Sequence, residues 1–111
     1  MVTLTWPQAL AFRARRHFLE ERAARGDLLA VVSRICGLHA QVLSSAELAA
    51  WARIDGLESG DVRAALWQER TLVKTWAMRW TLHLLSTIDY PVYLAAFRAF
   101  SHFRRERWLT S

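Results

Sequence analysis

A chain of 111 residues accommodates one small domain, or one domain and the start of another. Its hydrophobic content of 53% supplies a core, yet no run approaches the roughly 20 apolar residues that span a bilayer, so no membrane partner is expected. The formal charge of +5 favours an anionic partner such as nucleic acid, and excludes nothing more specific. Only Lys74 among the 15 basic residues is lysine. Arginine forks grip phosphate bidentately, although GC-rich coding produces the same bias. The single cysteine, Cys36, rules out an internal disulfide and reads as a small core residue. No Cys/His spacing suggests zinc, and neither a metal nor a cofactor is expected. The N-terminus lacks a secretory pattern, which makes the cytoplasm the default location.

Thr5-Trp6-Pro7-Gln8 opens a first helix: Thr5 caps, Pro7 sits where no backbone N–H is missed, and Gln8 completes a capping box. That helix runs to about Phe18 and carries Arg13, Arg15 and Arg16. Gly26-Asp27 breaks the chain, and Asp27 is placed to cap a second helix, Leu28 to Cys36, which Gly37 is suited to end. Ser44-x-x-Glu47 is a further capping box for a third helix through about Ile54, with Leu48, Trp51 and Ala52 as its burial face. Turns fall at Asp55-Gly56 and Ser59-Gly60, and Asp61 is placed to cap a fourth helix to Arg70. Trp6, Trp51 and Trp76 are assigned to the core.

Periodicity then changes. Thr71–Met78 and Thr81–Leu85 are rich in Thr, Val, Leu and Trp and predict a β-hairpin with Trp80 at its tip. Ser86 and Asp89 offer caps for a last helix from about Thr87 to Trp108, with Pro91 in its first turns. The predicted fold is therefore mainly α with a small β-hairpin: a winged helix-turn-helix domain over residues 1–86. Residues 87–111 are expected to form a linker helix or the start of a second winged-helix domain.

Charge is uneven. Residues 1–42 balance to +3, residues 43–70 to −2, and residues 71–111 to +4. The helix before the hairpin, which in a winged-helix transcription factor would enter the major groove, opens with Asp61 and carries Glu69. A solvated mixed-charge face accounts for each of these acids singly, but together they argue against base reading by that helix. Positive charge on the first helix, the hairpin and the tail favours phosphate contact instead. Arg13, Arg16, Lys74, Arg79 and His83 are the candidate DNA-binding residues.

His39 and Gln41 lie one residue apart in an apolar stretch, just beyond a helix end. In extended backbone two such residues point the same way. A neutral imidazole accepts a proton near neutral pH, and a glutamine amide both accepts and donates, so the pair can orient a water. Hydrolysis of an N-glycosidic bond needs that orientation and stabilisation of a cationic sugar, with no metal or nucleotide. The plainer alternative is that both residues bond to loose backbone groups or solvent.

Two strings, Gly37-Leu38-His39-Ala40-Gln41-Val42 and Thr75-Trp76-Ala77-Met78-Arg79-Trp80-Thr81-Leu82-His83, resemble in this order the AlkZ/YcaQ-type winged-helix DNA glycosylases. The likeness covers Leu4-Thr5 and the arginine-rich helix, Gly37 to Trp51, and Leu72 to Leu84, and matches the N-terminal third of such proteins. It implies three tandem winged-helix domains enclosing a DNA channel, with double-stranded damaged DNA and the further domains of the same polypeptide as partners. It also implies excision of alkylated bases or interstrand crosslinks, with His39 and Gln41 as the catalytic pair. His39 stands where glutamine is commoner in the family, and Trp80 where glycine is usual; tryptophan there implies a different hairpin turn. The alternatives to a glycosylase segment are a non-catalytic winged-helix DNA-binding or regulatory module, and an interaction domain docking through exposed tryptophans.

Overall fold

The computed structural model describes residues 1–78 and 81–99. Arg79, Trp80 and the tail beyond Ala99 lie outside the described residues, and with them the hairpin tip and the end of the last predicted helix. Five helices and three short strands follow in order: α1 (Trp6–Arg16), α2 (Leu28–Arg34), β1 (Leu38–His39), α3 (Leu43–Arg53), α4 (Asp61–Trp67), β2 (Leu72–Trp76), β3 (Leu82–Ser86) and α5 (Tyr90–Ala99). The strands form an antiparallel sheet in the order β1-β3-β2. The hairpin β2–β3 matches the sequence expectation; β1 does not, because two residues carry too little periodicity to announce a strand.

One core joins α2, α3, α4 and one face of the sheet. Val31, Val32, Leu38, Ala46, Ala50, Ile54, Val62, Ala65, Leu66, Leu72 and Leu84 are buried within it. The largest correction concerns α3. The expected burial face, Leu48, Trp51 and Ala52, is exposed, and the helix instead buries Ala46 and Ala50. Two alanines at i and i+4 let the α3 backbone approach the core closely, so its large side chains face outward. Trp6 and Trp76 are exposed as well, at 81% and 51%. Trp6 lies on α1, which buries none of its residues. Trp51 is covered instead by the Arg22 guanidinium, 5.4 Å from its ring, and that guanidinium also donates to the carbonyls of Trp51 and Ile54.

Helix ends show where local signals held and where they did not. The Thr5–Gln8 capping box forms, Thr5 N–H donating to Gln8 Oε1 at 2.9 Å and Gln8 N–H to Thr5 Oγ1 at 3.3 Å. The Ser44–Glu47 box does not: α3 starts two residues earlier, with Val42 at the N-cap, and Glu47 pairs with Arg63 at 3.0 Å. Asp27 stands at the α2 N-cap without a side-chain bond. Asp61 is the first residue of α4 rather than its cap, and its carboxylate takes Arg25 Nε at 2.9 Å and the Glu58 N–H at 3.0 Å. Those bonds hold the Asp61 carboxyl below its ordinary range, the Arg25 hydrogen bond first and the Glu58 N–H next.

Helices α1, α2 and α4 are each followed by a left-handed non-glycine residue, Phe18, Cys36 and Arg70. After α1 and α2 the next N–H reaches back to the last turn, Leu19 to Ala14 at 2.8 Å and Gly37 to Val32 at 2.9 Å, as in a Schellman stop. Cys36 is thus the left-handed residue of the α2 stop and is exposed, contrary to its expected place in the core. Burial, with the neighbouring Cys36 side chain second, pushes the Tyr93 hydroxyl of α5 up to about 12.

Candidate active site on the exposed edge of the sheet

β1 begins immediately after the double left-handed turn at Cys36-Gly37. A Cβ on Gly37 would lie 2.7 Å from Leu85 Cδ2 and 3.1 Å from the Leu84 carbonyl, so only glycine lets β1 approach β3 this closely. From there burial alternates: Leu38 is buried, His39 exposed, Ala40 buried, Gln41 exposed. His39 and Gln41 therefore project to the same side, as the i, i+2 spacing requires of extended chain.

β3 holds both residues. Ala40 N–H donates to the Leu82 carbonyl at 2.7 Å, and Leu82 N–H donates to Gln41 Oε1 at 3.4 Å. The Gln41 amide thus continues the strand ladder with its own oxygen, while its NH₂ group makes no hydrogen bond among the described residues. His39 is the register partner of His83, which is in turn the partner of Thr75. Directly opposed residues share a face, so Thr75, His83 and His39 form a row on the sheet face opposite Leu38 and Leu84. The His39 and His83 rings lie 5.3 Å apart, tilted by 55°.

The remaining candidates do not converge here. Lys74 pairs with Leu84, hence lies on the other face from His83, and lines a cavity of about 310 Å³ with Arg70, Trp67 and Thr87. Arg13 and Arg16 are exposed on α1, with Arg16 5.3 Å above the Phe12 ring. Arg79 lies outside the described residues. Of the two acids expected on the helix before the hairpin, Asp61 pairs with Arg25 at 2.9 Å, while Glu69 falls beyond α4, which ends at Trp67.

Sequence reading missed three contributors. Leu82 orients Gln41 through its backbone, which no side-chain pattern can signal. Thr81 anchors His83, its carbonyl lying 3.0 Å from His83 Nδ1. Arg53 shares with His39, His17 and Ser45 a concavity of about 280 Å³. Its Nη1 donates to the Ala49 carbonyl at 2.9 Å, while its buried Nε has no partner among the described residues. A larger hollow of about 440 Å³ between α3 and α4, lined by Leu48, Trp51, Leu57 and Val62, carries no imidazole.

A chain with this helical frame, small antiparallel sheet and paired polar residues matches the DNA glycosylase AlkZ-like family model over residues 32–110, and it belongs to that family. It is 41% identical over 91 residues to the interstrand DNA cross-link repair glycosylase of Streptomyces sahachiroi, covering 82% of this chain and 24% of that protein. The solved structure of the Streptomyces sahachiroi DNA glycosylase AlkZ superposes with a TM-score of 0.75 at 40% identity, again over 84% of this chain and 24% of the other. The chain spans about a quarter of the length of these relatives.

Proposed function

We propose that this chain is the DNA-engaging segment of a monofunctional DNA glycosylase, in which His39 and Gln41 position the water that hydrolyses the N-glycosidic bond of an alkylated or crosslinked base. The observation that carries the reading is the shared exposure of His39 on β1 and Gln41 two residues further on, with the Gln41 amide oriented by Leu82. A cationic alkylated purine leaves readily, so the protein's task is to place the water and stabilise a cationic sugar, not to supply a strong acid. Residues 1–86 are read as a winged-helix domain whose wing is the β2–β3 hairpin, and residues 87–111 as a linker or the start of the next such domain. Arg13, Arg16, Lys74 and Arg79 hold the DNA backbone in this reading, in the cytoplasm and alongside further domains of the same polypeptide. The relatives' names, a crosslink repair glycosylase and AlkZ, support the substrate class.

The competing reading, a non-catalytic winged-helix DNA-binding or regulatory module, draws on the Leu82–Gln41 bond, which gives Gln41 a structural role without chemistry. Base release separates the two. The full-length gene product, incubated with duplexes bearing methylated purines or an interstrand crosslink, is expected to free the base and leave an abasic site. Tight binding with no release from any of these duplexes supports the module.

A further inference from the structure

His83 has so far been assigned only to DNA contact, yet its ring is the most firmly held in the site. Its Nδ1 lies 3.0 Å from the Thr81 carbonyl oxygen and 3.4 Å from Thr81 Oγ1. A carbonyl only accepts. The Thr81 hydroxyl spends its proton on the Met78 carbonyl at 2.9 Å, so it too is left to accept. Both neighbours therefore require the proton of neutral His83 on Nδ1, which puts the lone pair on Nε2. Free histidine prefers the opposite tautomer. No hydrogen bond engages Nε2 among the described residues, and the ring is half-buried and packed 5.3 Å from that of His39. His39, by contrast, is exposed and its ring has no hydrogen bond among the described residues. A general base needs a fixed direction as well as a lone pair, and His83 has both.

We infer that His83 is the proton acceptor for the hydrolytic water, a role that rests on the glycosylase reading above. Water oxygen bonds to the sugar C1′, the N-glycosidic bond breaks with its electron pair passing to the departing base, and the water proton passes to His83 Nε2. The alkylated base, cationic while attached, leaves neutral. His39 packs against the His83 ring, and Gln41, its oxygen held by Leu82, directs the water through its NH₂ group. The imidazolium then releases its proton to solvent.

Two measurements test this separately. In the ¹⁵N-labelled chain, long-range imidazole spectra at alkaline pH are expected to show His83 protonated on Nδ1; an Nε2–H form or an averaged mixture overturns the inference whatever the activity. In single-turnover base release by the full-length product, His83→Gln is expected to slow the chemical step about 100-fold with damaged-duplex affinity held within about twofold, as removal of a general base does. His83→Ala should regain rate with added imidazole, and Gln41→Ala should not. Wild-type activity that survives both His83 substitutions defeats the role of His83 alone. A wild-type product that releases no base defeats the glycosylase reading, and the inference falls with it.

Discussion

Gly37 sits at φ +101°, directly after the left-handed Cys36, and its missing Cβ leaves the gap through which β1 reaches Leu84 and Leu85. Gly37→Ala forces a side chain into a left-handed backbone and against a buried leucine, so it should destabilise the fold by about 2–4 kcal/mol. Urea unfolding reads this directly, and a change under about 0.5 kcal/mol would show that β1 has room to shift. The same residue fixes the chemistry one step on, because the direction in which His39 and Gln41 project follows from the pairing of Leu38 with Leu84. Their spacing was visible in the sequence. The Leu82 N–H that orients Gln41, 41 residues along the chain, and the Thr81 carbonyl beside His83 were not, because both are backbone groups that no side-chain pattern signals.

At the scale of elements, α3 shows how a helix can be recognised and still be turned the wrong way. Its apolar residues lie on more than one side, so size favoured Leu48 and Trp51 for burial, while the fold chose the alanines. Ala50→Leu should therefore cost about 1–3 kcal/mol by overpacking. Leu48→Ala, which removes more apolar surface, should change stability by less than about 0.5 kcal/mol. Chemical denaturation of the pair tests the face assignment, and reversed costs would refute it. The link from the turn before α2 to α4 is electrostatic: the Arg25 guanidinium lowers the Asp61 carboxyl. A lowered carboxyl contributes stability at and above the ordinary carboxylate range and loses it as pH falls through its own depressed value. The urea midpoint of the wild type should accordingly fall more steeply on acidification than that of Asp61→Asn. Helix existence, the Thr5 cap and the hairpin were legible locally, whereas the Ser44 and Asp61 caps failed because Glu47 and Asp61 form ion pairs with arginines of other segments.

Across the whole molecule, positive charge is spread rather than gathered, with Arg13 and Arg16 on α1 and Lys74 with Arg70 beside α4. That arrangement suits a DNA backbone running past several elements more than a helix reading one groove. Affinity for duplex DNA should fall at least about tenfold between roughly 50 and 200 mM salt, and a salt-independent affinity would contradict phosphate contact. The chain belongs to the AlkZ-like family; the site on β1 and β3 is what the proposed reaction depends on. The most direct test is single-turnover base release by the full-length product carrying His39→Ala and Gln41→Ala together, with DNA affinity measured alongside. The account predicts a rate lowered about 100-fold or more with affinity nearly unchanged. Base release at the wild-type rate would contradict it.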